Sequence, residues 1–224
     1  MGHSMKRLCT ICARGGSKGV ANKNIRPIGG KPLIVHSVLQ AKLSGLFEAI
    51  AVSSDSPEIL DISKKYGADY SIVRPQDLAS DSAPKLPAIQ HCVNEVERIS
   101  GKNFDVIVDL DVTSPLRLTK DIEGAVRLLE EKNVSNVITG CPARRSPYFN
   151  LVERDEDDYV RLSKPPEQII TRRQDAPECF DMNASIYVWK RAGLIGSESI
   201  FNADTLLFVM PEERSIDVDQ DRKS

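Results

Sequence analysis

The sequence predicts an α/β fold with a mostly parallel sheet, and two observations carry this prediction. Short apolar runs alternate along the chain with longer stretches that have apolar residues at helical spacing. Strands that alternate with helices form βαβ units, whose right-handed crossovers place helices on both faces of a parallel sheet. The chain has 224 residues, 41% of them apolar. This length suits one domain, or one domain with a small subdomain, and it can bury a real core.

The first half of the chain follows this alternation element by element. The helix at 56–67 has the clearest boundaries, because Ser56 suits an N-cap, Pro57 the first helical position and Gly67 a C-terminal stop. The predicted strands of this half are 7–12, 48–54 and 69–73, and the predicted helices are 33–44, 56–67 and 86–99.

The second half continues the alternation, breaks it once and resumes it. Residues 141–180 are the break: they hold four prolines between 142 and 166 and the acidic run ERDEDD. We expect a small β-rich arm there, with a plain surface insertion as the alternative. The other predictions are strands at 104–111, 136–140, 185–190, 205–210 and 214–219, and a helix near 119–132.

Composition and charge exclude several classes of protein. The formal net charge of −2 argues against nucleic acid as a partner. No apolar run approaches the roughly 18 residues that a membrane span needs. The N-terminus, MGHSMKR, lacks the apolar region of a signal peptide, so we expect a cytoplasmic protein with no membrane partner. Residues 1–4 look like a non-native remnant, which places the expected single domain at 5–224.

The five cysteines and three histidines form no disulfide or metal pattern. Cys9 and Cys12 form a CxxC, but on a strand they would point to opposite faces. A zinc site would need a second pair or histidines. We therefore expect thiols that pack in the core, and we expect His36 and His91, which fall in predicted helices, to be structural.

A basic loop with three glycines, CARGGSKGVANKN at 12–24, follows the first predicted strand. Ligands of open parallel sheets bind beyond the carboxyl ends of strands. Glycine lets backbone N–H groups approach phosphate oxygens, and arginine and lysine neutralise their charge. The loop is therefore a candidate for binding a polyphosphate. It matches neither GxxxxGK[ST] nor GxGxxG, and a flexible surface loop is the alternative.

Acidic and basic motifs further along the chain add to this candidate site. Asp111, in DLDVTSPLR, is placed to face a metal or a sugar, or else is a turn acid. Asp217 and Asp219 are two apart on a predicted strand, so their side chains share a face and could hold Mg²⁺, unless they form a solvated strand end. The arginines of TRRQD, 171–175, could bind an anionic substrate or form a solvated cluster. Together these motifs favour nucleotidyl transfer.

The loop ARGGSKGVANKN resembles the signature A-R-x-x-S-K-G-x-x-x-K-N of the CMP-sialic acid synthetases, or acylneuraminate cytidylyltransferases. The resemblance continues in the family's order through GKPLI, VSSD, RPQDLASDSA, TSPLR, RRQD, NASIYV and SIDVD. It implies a Rossmann-like nucleotidyltransferase domain with a mostly parallel seven-stranded sheet. It also implies a β-rich arm at 141–180 that joins two subunits into a homodimer. The implied reaction transfers CMP from CTP to the anomeric hydroxyl of a nine-carbon α-keto acid sugar and releases pyrophosphate, with Mg²⁺ as cofactor.

The resemblance also implies roles for individual residues. Arg14, Lys23, Asp111 and Asp219 are the expected catalytic residues, and Asp217 and Asp219 the expected magnesium ligands. The expected nucleotide-binding residues are Ala13, Arg14, Gly15, Ser17, Lys18, Lys23, Asn24, Arg74 and Asp81. The expected sugar-binding residues are Asp111, Thr113, Ser114, Arg173, Gln174 and Asn183, of which Arg173 and Gln174 would reach the site of the partner subunit.

Two positions depart from the family's pattern, both toward the acceptor sugar. Many sialic acid enzymes have glutamine where this chain has Asp111, and many bacterial members have lysine where it has Phe149. DVTSPLR and SPYFN look more like members that act on legionaminic acid or other bacterial relatives of sialic acid. The alternatives are a cytidylyltransferase for another acid sugar such as KDO and, in a different class, a non-catalytic nucleotide-sensing module.

Overall fold

The computed structural model of the protein describes residues 5–16, 22–80, 82–166 and 172–218, and of Arg173 the backbone alone. The strands are β1 (Arg7–Cys12), β2 (Pro27–Ile28), β3 (Lys31–Pro32), β4 (Ala49–Ser54), β5 (Tyr70–Val73), β6 (Val106–Leu110), β7 (Asn136–Pro142), β8 (Val152–Arg154), β9 (Val160–Leu162), β10 (Phe180–Lys190) and β11 (Leu206–Val209). The helices are α1 (Leu33–Ser44), α2 (Pro57–Lys65), α3 (Lys85–Ser100), α4 (Thr119–Lys132) and α5 (Arg191–Leu194).

Seven strands form the main sheet, in the order β11-β7-β10-β6-β1-β4-β5. Neighbouring strands are parallel except that β10 runs antiparallel to both β6 and β7. The prediction of a mostly parallel seven-stranded sheet is therefore confirmed. β2 and β3 form a hairpin whose turn residues, Gly29 and Gly30, have φ values of 56° and 80°. Two-residue hairpin turns of this kind need positive φ at both positions, which glycine adopts without strain.

Two hydrophobic layers cover the two faces of the main sheet. One contains the apolar sides of α1, α2 and α4, and the other those of α3 and α5. Cys9 lies in the first layer and Cys12 packs against the second, so the CxxC thiols face opposite sides of β1 as predicted. All five cysteines are free thiols.

The carboxyl ends of β1, β4, β5 and β6 meet at one edge of the sheet because these strands are parallel. The loops that follow them begin at Ala13, Asp55, Arg74 and Asp111. Helix α2 leaves this edge with Ser56 as its N-cap: the Ser56 side chain accepts a hydrogen bond from the Ile59 backbone N–H at 3.4 Å. The sequence motifs that contain Ala13, Asp55, Arg74 and Asp111 therefore come together at a single edge.

Two strand predictions differ from the structure. The strand predicted at 214–219 is wrong over its described part, where Glu212–Arg214 forms a 3-10 turn and 215–218 are irregular. The Val218 N–H donates a hydrogen bond to the Thr113 carbonyl at 2.9 Å, so this segment is bonded to the loop after β6 and not to an edge strand of the sheet. Strand β10 also begins before the predicted residue 185. The pairing register shifts between Met182 and Tyr187, and such an irregularity interrupts the alternation that marks a strand.

The predicted arm at 141–180 contains a second hairpin, formed by β8 and β9. Its apolar side chains Val152, Tyr159 and Val160 are exposed. Within the described ranges, no helix is long and apolar enough to cross a membrane.

Candidate active site

A cavity of about 260 Å³ opens at the carboxyl edge of the sheet, beside the start of α3. Of the predicted site residues it brings together Arg14, Lys23, Asn24, Arg74, Asp111 and Thr113. Its described lining includes four basic side chains, the fourth being Lys85, and one acidic side chain. A concave surface with this charge balance favours an anionic ligand.

The loop after β1 is anchored at both of its described ends. The Gly15 N–H donates to Asp55 Oδ1 at 2.8 Å, and the Asn24 side-chain amide donates to the Arg14 carbonyl at 2.9 Å. A Cβ added at Gly15 would lie 3.0 Å from the Cβ of Ser56, so this close approach suits glycine. Ala13 is buried beneath the loop. Asn24 thus closes the loop, while Arg14 and Lys23 line the cavity.

Arg74 is a buried arginine in the wall of the cavity. Its Nε donates to Ser53 Oγ at 3.2 Å and its Nη2 to the Ser53 carbonyl at 2.8 Å. These two bonds fix the guanidinium to the end of β4, so the cavity has a rigid, planar cation in this wall. Such a group suits recognition of a planar or anionic ligand.

The base of the cavity holds an ion-pair cluster that the sequence analysis missed. The Nζ of Lys85 lies 2.6 Å from Asp111 Oδ2 and 2.9 Å from Asp109 Oδ2. The Asp111 contact is a hydrogen bond, whereas Asp109 Oδ2 has no hydrogen-bond partner among the described residues despite its closeness to Nζ. We therefore treat the Lys85–Asp109 contact as electrostatic. The same ammonium lies 4.8 Å from the centre of the Tyr187 ring, within cation–π range.

The charges of this cluster stabilise one another. Burial disfavours the charged form of Asp111, but Lys85 and the hydrogen bonds from Thr113 outweigh it and hold the pKa of Asp111 well below its usual range. Burial likewise disfavours the charged Lys85, but Asp109 and Asp111 outweigh it and raise the pKa of that lysine. Both groups are therefore charged at neutral pH. Asp111 is a poor general base there, since it would hold a proton only at acid pH.

Arg117 braces the loop that follows β6. This guanidinium is fully buried. It donates to Gln40 Oε1 at 2.8 Å, to Ser37 Oγ at 2.6 Å and to the carbonyls of Asp111 and Ser185. These bonds fix the backbone of Asp111 beneath the cavity.

Thr113 and Ser114, two of the predicted sugar-binding residues, have different surroundings. The N–H and Oγ1 of Thr113 both donate to Asp111 Oδ1 at 2.9 Å, and Thr113 lines the cavity. Ser114 is buried, and its Oγ has no hydrogen-bond partner among the described groups. Of the pair, the structure places Thr113 where it could meet a ligand.

Asn183 and Gln174 are not brought into this cavity. The Asn183 carbonyl oxygen accepts from Thr139 Oγ1 at 2.7 Å, and its amide donates to Ser215 Oγ at 2.9 Å, so it links β7, β10 and the C-terminal segment. Gln174 lines a separate cavity of about 540 Å³ together with the start of β10. The prediction assigned Gln174 to the site of a partner subunit, and it stays a prediction.

The predicted magnesium ligands are described only in part. Asp217 is exposed, and the neighbouring Val218 N–H bonds to the Thr113 carbonyl, which brings this segment beside the loop after β6. Burial raises the pKa of Tyr187, and Asp217 lies close enough to add to that effect. Within the described ranges no group of three or more His, Cys, Asp or Glu side chains could hold a metal. Ser17, Lys18, Asp81 and Asp219 lie outside the described residues.

Comparison with known proteins decides the family. Residues 8–209 match the family described as Cytidylyltransferase. The chain belongs to the cytidylyltransferase family. It is therefore a nucleotidyltransferase, and the alternative of a non-catalytic nucleotide-sensing module is not favoured.

Two relatives resemble this cytidylyltransferase along almost its whole length. It is 46% identical over 214 residues to the "CMP-N,N'-diacetyllegionaminic acid synthase" of Campylobacter jejuni. It is 45% identical over 214 residues to the "Post-translational flagellin modification protein B" of Campylobacter coli. Each alignment covers 96% of this chain and 90% of the relative.

A solved structure shows that the fold is shared more widely. A CMP-2-keto-3-deoxy-manno-octonic acid synthetase in complex with CTP aligns with a TM-score of 0.69 and 16% identity. The alignment covers 96% of this chain and 93% of that chain. This confirms the predicted nucleotidyltransferase fold.

Three residues that shape the site of this cytidylyltransferase were not predicted from the sequence: Lys85, Asp109 and Arg117. Asp109 and Arg117 fell inside the quoted motif DLDVTSPLR, but nothing local showed that they would be buried together. Lys85 had one local signal. A lysine at the first position of a helix is disfavoured by the positive end of the helix dipole, so its presence there needs a nearby anion.

Proposed function

We propose that this cytidylyltransferase transfers CMP from CTP to the anomeric hydroxyl of a nine-carbon α-keto acid sugar and releases pyrophosphate. One observation carries the proposal: a single cavity joins the basic loop residues Arg14 and Lys23 to Arg74 on one wall and Asp111 on another. The reaction is an in-line attack on the α-phosphate of CTP. Such reactions are catalysed mainly by positioning and by neutralising phosphate charge, which is what this set of side chains can do.

The donor nucleotide would occupy the basic part of the cavity. Arg14 and Lys23 would neutralise the triphosphate, with backbone N–H groups around Ser17 and Lys18 as further donors. Ala13 and Gly15 would shape the loop beneath the phosphates, because their own N–H groups already donate to the Ser53 carbonyl and to Asp55 Oδ1. Asn24 would act indirectly, because its amide holds the Arg14 backbone. The fixed guanidinium of Arg74, with Asp81, would contact the cytosine and ribose.

A divalent metal is used by cytidylyltransferases generally, and we propose Mg²⁺ here. Asp217, an exposed carboxylate beside the loop after β6, together with Asp219, offers the hard oxygen ligands that Mg²⁺ prefers. Asp109 and Asp111 fit this role less well, since the Lys85 ammonium already lies between their carboxylates. When bound, Mg²⁺ would stabilise the charge on the leaving pyrophosphate.

The acceptor is proposed to be a legionaminic acid rather than N-acetylneuraminic acid. Asp111 and Phe149 stand where many sialic acid enzymes have glutamine and lysine, so the acceptor side of the site has lost an amide and a cation. A relative of 46% identity carries the name of a CMP-N,N'-diacetyllegionaminic acid synthase. The likeness to a KDO-type synthetase, at 16% identity, concerns the fold and does not favour that acceptor.

A cytoplasmic homodimer is the proposed working form. The arm at 141–180 exposes apolar side chains on its hairpin, which a second subunit would cover. Gln174 lies on this arm and lines a different cavity of its own chain, and with the neighbouring Arg173 it would reach the acceptor in the cavity of the partner subunit.

Pyrophosphate release with a panel of acceptors tests the proposal. The purified protein is given CTP and Mg²⁺ with N,N'-diacetyllegionaminate, N-acetylneuraminate, pseudaminate or KDO, and ATP, GTP and UTP serve as donor controls. We expect kcat/KM to be highest for legionaminate by at least ~10-fold, the discrimination that one or two polar contacts supply. A clear preference for N-acetylneuraminate would refute the acceptor, and no release with any of the four acids would refute the reaction.

A further inference from the structure

Lys85 is an unusual residue for the first position of a helix. The start of α3 carries a partial positive charge, so a lysine there is unfavourable unless anions compensate it. Two aspartates do so, at 2.6 and 2.9 Å, yet the lysine side chain stays 29% exposed and lines the cavity. Residues that break a local rule at a considerable compensating cost are concentrated at functional sites.

Among the described residues, the hydrogen bonds of Asp111 leave it with one acceptor position. A carboxylate has about four lone-pair positions. Oδ1 accepts from the Thr113 N–H and Oγ1, both at 2.9 Å, and Oδ2 accepts from Lys85 at 2.6 Å. Three positions are thus filled by described groups. The side chain is 23% exposed and lines the cavity, so the fourth position, on Oδ2, can meet a ligand.

The ammonium of Lys85 has a matching donor. It carries three N–H groups. One bonds to Asp111 and one is directed by charge toward Asp109, which is fully buried. The Tyr187 ring covers another side at 4.8 Å. Lys85 lines the cavity and its side chain is 29% exposed, so a further N–H of the ammonium can meet a ligand there.

We propose that Lys85 and Asp111 together bind one hydroxyl group of the acceptor sugar. Asp111 Oδ2 accepts the hydroxyl hydrogen, and Lys85 Nζ donates to the hydroxyl oxygen. A hydroxyl is the group that can donate and accept at one atom. A phosphate oxygen fits less well, because it has no hydrogen for Asp111 and carries the same charge. The inference rests on the proposed function and makes Lys85 a determinant of acceptor specificity.

A cycle that combines a protein variant with altered substrates tests this pair. Wild type and Lys85→Met are assayed with the full acceptor and with a series of analogues that each lack one hydroxyl. We expect one analogue to lower kcat/KM of the wild type at least ~30-fold, since deleting the hydroxyl leaves charged partners unmatched. With the full acceptor, Lys85→Met should lower kcat/KM by a similar factor. When Lys85→Met is assayed with that analogue, kcat/KM should fall by less than ~3-fold further, because the two changes remove the same contact.

Two further variants separate binding from folding. Lys85→Arg keeps the charge between the aspartates but moves the donors, so we expect it to stay folded and to raise KM for the acceptor at least ~10-fold, with KM for CTP within ~3-fold. If Lys85→Met does not fold, Lys85→Arg carries the same cycle. Lys102→Met is the matched control: Lys102 makes a 2.6 Å ion pair with Glu48 at the surface, and its loss should leave both KM values unchanged.

The outcomes separate this inference from the function on which it rests. The proposed pair would be overturned if every acceptor analogue lowered kcat/KM by the same factor in the wild type and in Lys85→Met. It would also be overturned if the effect of Lys85→Met disappeared with 2'-deoxy-CTP or 3'-deoxy-CTP as donor, because Lys85 would then contact a hydroxyl of the nucleotide. Absence of turnover by the wild type would instead overturn the proposed function.

Discussion

Lys85, Asp109 and Asp111 show how buried charges balance at the level of single residues. The pKa of Asp111 is lowered in the folded protein, so its contribution to stability is present above its unfolded pKa of about 4 and is lost as the pH falls below it. The pKa of Lys85 is raised, so its contribution is present below about pH 10 and is lost at higher pH. Lys85 and Asp111 therefore keep their charges throughout the neutral range.

Cys12 tests the burial of the site at the same scale. It lines the cavity, yet burial, with Asp109 as the next cause, raises its pKa to about 12. We expect Cys12 to resist iodoacetamide at pH 8, because the thiolate is the reactive form. Cys179, on the arm, has a similar partial exposure, and mass spectrometry of the native protein should find it alkylated before Cys12. Labelling of Cys12 as fast as Cys179 would contradict the raised pKa of Cys12.

Arg14 lines the cavity and is proposed to neutralise charge on the triphosphate. Arg14→Ala should lower kcat/KM at least ~100-fold, a loss of about 3 kcal/mol in transition-state stabilisation. Arg98→Ala, which removes an exposed arginine of α3 paired with Glu95, is the control and should keep the wild-type rate. A near-normal rate for Arg14→Ala would remove this residue from the site.

At the scale of elements, the helices were predicted better than the strands. The helices at 33–44 and 119–132 have the predicted bounds, because periodicity and capping are local properties of the sequence. The strand predicted at 214–219 is wrong because the Ser215 N–H bonds within a local turn and the Val218 N–H donates to the Thr113 carbonyl, in a loop about a hundred residues away in the chain. The Lys85–Asp111 pair was missed for the same reason, since its members belong to different elements.

Arg117 is the side chain on which the shape of the loop after β6 depends. Arg117→Met should lower the free energy of unfolding by about 3–5 kcal/mol, since it leaves several buried acceptors without their donor. Urea unfolding followed by circular dichroism measures the loss. Arg98→Met, at an exposed ion pair with Glu95, should change it by less than about 0.5 kcal/mol. Equal effects of the two variants would contradict the bracing role.

For the whole molecule, the alternation of elements was enough to predict the fold class, but not the order of the strands. Strand β10 enters the sheet antiparallel between β6 and β7 after the arm has interrupted the chain. No pattern within the β10 sequence indicates that it will pair with β6 and β7. The family resemblance supplied the number of strands, whereas the break in the alternation at 141–180 had already indicated an arm.

If the arm of one subunit serves the cavity of the other, two inactive variants should restore activity when they form a mixed dimer. A chain with Arg14→Ala keeps an intact arm, and a chain with Arg173→Ala keeps an intact cavity. If the arm serves the partner's cavity, unfolding and refolding a 1:1 mixture should restore roughly a quarter of the wild-type sites by random pairing into dimers. Each variant refolded alone is the control. A mixture no more active than its components would show that the arm acts within its own chain or not at all.

The most direct test of the central claim observes the product itself. Phosphorus NMR of CTP, Mg²⁺ and N,N'-diacetyllegionaminate with the wild-type protein should show the triphosphate signals replaced by those of pyrophosphate and of one phosphodiester, the CMP-sugar. Formation of CDP and phosphate, or unchanged CTP in the presence of the acid sugar, would contradict cytidylyl transfer at this cavity.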